Sequence, residues 1–320
     1  MNEKKGLLSS GLAMVMRNKR YIIWFWLLNL LLTVYGTSAF REAAHTLFDT
    51  SSYSDKLLHG LDLSVVIDLF LKPEFAATRS MTSPAFCFAI IFFLATALFL
   101  PGIFAGYAST YRLPRDDFFR ACGRNLWRFI RILIIAAIVM GIVAGILFAI
   151  NGAIVKKADE STNELLPFEL QMVGLAIIFL VMTTLRIWFD LAEADTVLND
   201  QRAVRKSIAS AFRHTFRGLF RLLGSYVIVT IVAALILVAG LWCWLHFAPS
   251  DGWFAAAVIS QITLLLLLIP RFWQRGIVVT YWHQYMMAPV IVATPVQPPP
   301  APVAPEPAPV LPTPPAAPAM

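Results

Sequence analysis

Residues 132–150 read ILIIAAIVMGIVAGILFAI, a run without one charged side chain. An α-helix of this length, rising about 1.5 Å per residue, crosses most of the roughly 30 Å hydrocarbon core of a bilayer. Similar apolar stretches recur along the chain. The predicted spans are 21–40, 84–107, 132–150, 172–189, 224–247 and 253–270. The sequence therefore predicts an all-α, polytopic membrane protein with six transmembrane helices.

The composition of the whole chain also favours a membrane environment. Hydrophobic residues make up 58% of the 320 residues and charged residues only 14%, too little polar surface for a soluble domain of this size. In a soluble chain the net charge of +7 would suggest nucleic-acid binding. Because the basic residues here are sorted between alternate loops, no nucleic-acid partner is expected.

The sorting of charge between alternate loops predicts the orientation. Only six of the 26 basic residues fall on one side, where acidic residues outnumber them. These six are Arg41, Lys56, Lys72, Arg79, Lys156 and Lys157. Cytoplasmic loops of membrane proteins are enriched in Lys and Arg, so we expect both termini in the cytoplasm. Tryptophans at the predicted span ends agree with this orientation.

The first predicted span has a second interpretation. Thr37 and Ala39 follow a basic leader and an apolar run, as small residues do at the cleavage site of a signal peptide. However, the run contains Asn29 and bulky tryptophans and is longer than a usual signal-peptide core. A transmembrane helix is the favoured interpretation.

The segments outside the spans differ in character. Residues 1–20 form a basic amphipathic leader, and the leucine-rich segment 41–83 is predicted to be a helical cap at the outer face. Residues 289–320 are rich in proline, which predicts a disordered cytoplasmic tail. Its P-x-x-P spacings could dock a partner, or the tail could be inert. Cys87 and Cys243 could form a bridge near the outer face, although small buried apolar side chains are the favoured interpretation.

Basic amphipathic segments precede alternate spans. Residues 118–129 align with 207–218, which places Arg124 over Arg213, and a shorter version occupies the leader. Such helices often lie in the headgroup plane, where anionic lipid attracts basic side chains. The predicted contacts to anionic lipid are Arg120, Arg124, Arg128, Arg213 and Arg217. The alternative is that these segments only fix the topology, and docking of a cytoplasmic partner is a further possibility.

Small residues and one proline predict how the helices pack. Small side chains recur every four residues in the third span and leave a smooth groove, and the second span offers two glycines. The predicted packing residues are Gly102, Gly106, Ala137, Gly141, Gly145 and Ala149. Close backbone approach at such residues drives helix association in lipid, so we expect these two spans to face each other or a shared neighbour. Pro101 is expected to kink the second span.

One charged cluster lies at membrane depth. Arg186, Asp190 and Glu193 share one face of the fourth span, and ionisable groups at such depth are costly and often functional. They could belong to an ion path or a headgroup site, or they could be a neutralised pair that fixes the rotation of the helix.

Catalytic motifs are not recognisable in the sequence. The five histidines show no metal-ligand spacing, and no nucleophile elbow or phosphate-binding glycine loop occurs. We therefore predict a protein without catalytic, cofactor or metal sites, acting as a membrane scaffold or envelope protein that interacts with anionic lipid. The alternatives are a small-solute or lipid transporter and, less favoured, a membrane-embedded lipid enzyme.

Several short segments resemble known membrane proteins. The leader Arg17–Arg20 opens onto an aromatic span with Trp24, Leu27 and Asn29, and the sequence YWHQY occupies 281–285. This layout is similar to uncharacterised six-helix bacterial inner-membrane proteins and to the membrane domain fused to some glycerophosphodiester phosphodiesterases. The resemblance implies a bacterial cell inner-membrane protein with a lipid-associated or scaffolding role. No phosphodiesterase domain follows in this chain, so that activity is not implied.

Overall fold

The computed structural model describes residues 6–33, 78–109, 111–160, 165–247 and 253–287. Within these ranges every regular element is helical. The helices are α1 Leu7–Arg17, α2 Arg20–Thr33, α3 Thr78–Ala108, α4 Arg115–Ala158, α5 Leu166–Leu198, α6 Val204–Arg217, α7 Leu219–Phe247 and α8 Trp253–Tyr281, followed by a π-helical turn, Trp282–Met286. The proline-rich tail and most of the predicted outer cap lie outside the described residues.

Five of these helices, α3, α4, α5, α7 and α8, are long and apolar enough to cross a membrane. This confirms the all-helical, polytopic character predicted from the sequence. The first predicted span, 21–40, is described only as the shorter helix α2, and residues 34–40 lie outside the described residues. The structure therefore does not decide between five and six spans.

The apolar surface of α4 suits contact with lipid. Isoleucines recur every four residues along this helix, and at least half of each side chain is exposed at most of these positions. They are Ile134, Ile138, Ile142, Ile146, Ile150 and Ile154. A stripe of large exposed apolar side chains of this length would be unfavourable in water, whereas lipid tails solvate it.

The five long apolar helices and the shorter α2 form antiparallel pairs. Helix α2 pairs with α3 through Phe25 and Phe99, α4 pairs with α5, and α7 pairs with α8. We call the first helix of each pair the leading helix and the second the returning helix. The returning helices α3, α5 and α8 contact one another, so they form the centre of the bundle.

Each basic amphipathic segment packs on the returning helix of another pair. Helix α1 packs on α8, the first turns of α4 pack on α3, and α6 packs on α5. In two of these contacts a tryptophan donates a hydrogen bond to a backbone carbonyl: Trp188 Nε1 to Ile208 O, and Trp273 Nε1 to Leu8 O, each at 2.8 Å. In the third, the rings of Phe99 and Phe119 meet edge to face. The repeat seen in the sequence thus corresponds to three similar contacts around the central helices.

The two longer amphipathic segments continue into their spans differently. The segment of α4 and its span are one continuous helix of 44 residues. Between α6 and α7 the helix is interrupted at Gly218, whose backbone N–H still bonds to His214 O. Glycine has a low helix propensity, whereas the aligned position in α4 is the buried Phe129, which favours continuation of the helix.

The small-residue groove of α4 does not pack as predicted. A Cβ atom on Gly141 or Gly145 would meet nothing within 4 Å among the described residues, and Ala137 and Ala149 are exposed. The packed face of α4 is the adjacent one, where Ile132 and larger side chains meet α5. Larger apolar side chains fill that contact, and the groove stays open toward the other residues that the structure describes.

The two glycines of α3 do allow close packing. A Cβ on Gly102 would collide with Phe118 and Cys122 of α4, and one on Gly106 would collide with the Tyr21 ring of α2. Among the side chains that the structure describes, helices α3 and α4 therefore meet at the first turns of α4 and not at its small-residue groove.

Candidate functional site

A buried ion cluster lies where the central helices α5 and α8 meet. Arg275 Nη1 donates to Asp190 Oδ1 and, at 3.1 Å, to Glu193 Oε2. Tyr226 of α7 donates its hydroxyl to the other Asp190 oxygen at 2.7 Å. Both carboxylates are 3% exposed, so each depends on these donors. The cluster fastens α5, α7 and α8 together.

Arg186 takes a weaker part in this cluster than the sequence suggested. Its Nε lies 3.9 Å from Asp190 Oδ2, beyond hydrogen-bonding distance, and its side chain is 42% exposed. Since Asp190 already accepts hydrogen bonds from Arg275 and Tyr226, most of the guanidinium of Arg186 is available to another partner.

Sequence reasoning found Arg186, Asp190 and Glu193 but missed Arg275, the arginine that donates to both carboxylates. The last span was predicted to end at Pro270, which placed Arg271 and Arg275 in a cytoplasmic segment. In the structure α8 continues through Pro270 to Tyr281, so both arginines belong to the helix. A proline removes one backbone hydrogen bond, and neighbouring helices can hold such a helix together. Arg271 and Arg275 are one helical turn apart, and this spacing was the feature of the sequence that indicated a helix continuing beyond Pro270.

A cavity of 540 Å³ opens beside the cluster, between α4, α5, α7 and α8. One part of its wall is polar and carries Arg186, Arg271, Gln274 and Thr230. The other part is apolar and consists of Leu133, Ala136, Met140, Ala233 and Leu267. The cavity is therefore amphipathic.

The charged groups that line this cavity do not balance. Three arginines, Arg186, Arg271 and Arg275, face two carboxylates, which leaves one positive charge in excess when all are ionised. Arg271 lies over the Phe92 ring at 5.3 Å and forms no ion pair among the described residues. This excess positive charge is electrostatically complementary to an anion.

A second surface consists of basic and aromatic side chains on α6. This helix buries Val204, Ser207, Ala211 and Thr215 against the bundle. It exposes Arg213 and Arg217 together with Phe212 and Phe216, whose side chains are about half exposed. The first turns of α4 expose a comparable set that includes Arg120, Arg124, Phe119 and Trp127. We call these two segments the basic aromatic surfaces.

Arg128 was also predicted to contact lipid, but its side chain binds Asp200 and Asn125 within the bundle. It donates to Asp200 Oδ1 at 2.6 Å and to Asn125 Oδ1, and its side chain is only 18% exposed. The hydrogen bond from Arg128 lowers the pKa of Asp200 below its ordinary value. Arg128 thus holds the end of the returning helix α5 against α4.

Two other arginines contact the ends of the other returning helices. Arg17 donates to Ser109 O at 2.8 Å, just after α3, and Arg221 donates to the Tyr285 hydroxyl after α8. Cations at a helix C-terminus bind its unpaired carbonyls and favour its dipole. Several of the basic residues are thus structural.

Groups of His, Cys, Asp and Glu side chains that could hold a metal ion are not found in the part of the chain that the structure describes. The three cysteines, all within that part, are free, so the bridge considered between Cys87 and Cys243 is not formed. No protein-family model, curated protein or solved structure shows a significant match to the chain.

Proposed function

We propose that this protein is a multi-pass protein of a bacterial inner membrane, with both termini in the cytoplasm, that binds anionic lipid and acts as a non-enzymatic scaffold or envelope protein. The observation that supports this most directly is the surface of α6, where Arg213 and Arg217 are exposed beside Phe212 and Phe216. Exposed phenylalanines enter the acyl boundary while arginines bind headgroups, and each basic residue near an anionic membrane contributes about 1 kcal/mol.

The proposal is tested by the lipids that accompany the full-length protein. We expect polymer-extracted native nanodiscs of the wild type to be enriched in anionic phospholipid relative to the bulk membrane, as measured by mass spectrometry. The double variant Arg213→Glu, Arg217→Glu reverses two charges at the basic aromatic surface, so its enrichment should fall clearly.

Lys156→Glu with Lys157→Glu is the matched control. It makes the same change in net charge at the other end of the bundle, where both lysines are exposed at the last turn of α4. Equal enrichment in the wild type and the α6 variant, or an equal loss in the control, would contradict the proposal.

A second candidate function is transport of a lipid. The observation in its favour is the amphipathic cavity, whose polar wall includes Arg186. The two candidates differ in one measurement: a transporter accelerates the movement of a fluorescent phospholipid between leaflets of proteoliposomes, whereas a scaffold binds the lipid without moving it.

A further inference from the structure

We propose that the cavity between α4, α5, α7 and α8 is a binding site for one anionic phospholipid, with its phosphate at Arg186 and Arg271 and an acyl chain along the apolar wall. This inference rests on the proposed anionic-lipid function and names a site inside the bundle, distinct from the basic aromatic surfaces. Three observations lead to it.

The first observation is that two arginines of the cavity have guanidinium donors that are not directed to a carboxylate. Arg275 donates to Asp190 and Glu193, and each oxygen of Asp190 already accepts a hydrogen bond. Arg186 is beyond hydrogen-bonding distance of Asp190, and Arg271 lies over the Phe92 ring and has no ion pair within the part of the chain that the structure describes. Guanidinium groups bind phosphate through paired charge-assisted hydrogen bonds, which makes these two arginines suitable ligands.

The second observation is the match between the cavity and the shape of a phospholipid. Arg271 directly follows Pro270, at the end of the apolar stretch of α8, and Asp190 directly follows the apolar stretch of α5. The polar wall therefore lies at the depth where headgroups begin. Leu133, Met140 and Leu267 continue from it into the apolar half of the bundle, where an acyl chain would lie.

The third observation is the size of the cavity. Pockets for small ligands typically have volumes of about 300–1,000 Å³. The cavity of 540 Å³ falls in this range and has room for a phosphate with part of one chain. A free inorganic phosphate would leave the apolar wall unused, so the lipid should bind more tightly.

The test uses native mass spectrometry of the full-length protein in detergent. We expect one phosphatidylglycerol to remain bound to the wild type, and Arg271→Gln to weaken its binding about tenfold or more, because a paired charge-assisted contact to phosphate is lost. Arg271 lies outside the buried ion cluster, so this variant should fold; thermal unfolding checks this. Arg186→Gln should have the same effect, and Arg271→Lys should restore part of the binding.

Titration with three ligands identifies what is bound. Phosphatidylglycerol should bind well, phosphatidylcholine more weakly, and inorganic phosphate most weakly. Ala233→Phe fills part of the apolar wall and should weaken phosphatidylglycerol binding without weakening phosphate binding. If inorganic phosphate binds as tightly as phosphatidylglycerol, or if Arg271→Gln retains the lipid while folded, the proposal is wrong.

The failure of this inference is distinguishable from the failure of the proposed function. Arg213→Glu with Arg217→Glu should lower the bulk enrichment of anionic lipid and leave the single retained phospholipid in place. Arg271→Gln should remove the retained phospholipid and leave the bulk enrichment unchanged.

Discussion

At the scale of single residues, Asp190 determines the arrangement of the central helices. Its two oxygens accept from Arg275 of α8 and Tyr226 of α7, while it is itself carried by α5. A buried ion pair contributes little when complete, because desolvation offsets the attraction, but its disruption leaves an unpaired charge and is strongly destabilising. We therefore regard the cluster mainly as a device that fixes the relative rotation of three helices, and this arrangement leaves Arg186 and Arg271 directed to the cavity.

The contribution of the Tyr226 hydroxyl can be measured. We expect Tyr226→Phe to lower the free energy of unfolding by about 1–3 kcal/mol, because one oxygen of a buried carboxylate loses its donor. Thermal or detergent-induced unfolding of the purified protein is the measurement. Tyr111→Phe is the matched control, since Tyr111 is 66% exposed and its substitution should leave the stability unchanged. An unaltered midpoint for Tyr226→Phe would show that the hydrogen bond is not important for stability.

At the scale of elements, each amphipathic segment packs one face on the bundle and exposes the other, and α1 shows how close this packing is. Helix α1 buries Leu7, Gly11 and Val15. Gly11 lies so close to Gly276 of α8 that a Cβ on Gly276 would meet the Gly11 carbonyl oxygen at 2.5 Å. Backbones approach this closely only where side chains are absent, so the contact depends on glycine at both positions.

This contact can be tested with one added side chain. We expect Gly276→Val to destabilise the protein by about 1–3 kcal/mol, because the larger side chain separates α1 from α8. Gly141→Val is the control, since a Cβ there would meet nothing within 4 Å among the described residues. The unfolding midpoints of the two variants should differ clearly. Equal midpoints would mean that α1 does not need to dock on α8.

At the scale of the whole molecule, buried side chains concentrate at the end of the bundle where the amphipathic segments and the C-terminal turns of the returning helices meet. Large buried residues there include Tyr21, Tyr107, Phe118 and Tyr226. The opposite halves of α4 and α7 are mostly exposed among the described residues. Lipid tails are as apolar as these side chains, so the exposed apolar surface of these halves carries no hydrophobic penalty in a bilayer.

The proposed topology predicts where reporter fusions are active. Truncated chains fused to alkaline phosphatase after Asp62 and Glu160 should be active outside the cytoplasm, whereas a fusion after Ser210 should be inactive, because the basic segments stay in the cytoplasm. The Asp62 fusion also decides whether α2 belongs to a sixth span. An inactive Glu160 fusion or an active Ser210 fusion would contradict the proposed orientation.

Local properties of the sequence were sufficient to predict the five long apolar helices. Whether a segment such as 132–150 forms a long apolar helix depends on its own hydrophobicity and length. The acidic residues of the ion cluster were likewise found from their helical spacing on α5. The limits of the elements were less predictable: the last span was expected to end at Pro270, but α8 passes through this proline to Tyr281.

The contacts between distant segments were decided by the tertiary structure alone. Arg275 and Asp190 are 85 residues apart, and no local pattern relates an arginine after one span to an aspartate at the end of another. Gly141 has no close neighbour among the described residues, whereas Gly276 is in tight contact with Gly11. The sequence could not distinguish these two cases, because small residues permit close packing without specifying a partner. The sequence determined which segments are helical and suited to lipid; the folded chain determined which faces meet, because burial and pairing are properties of several helices together.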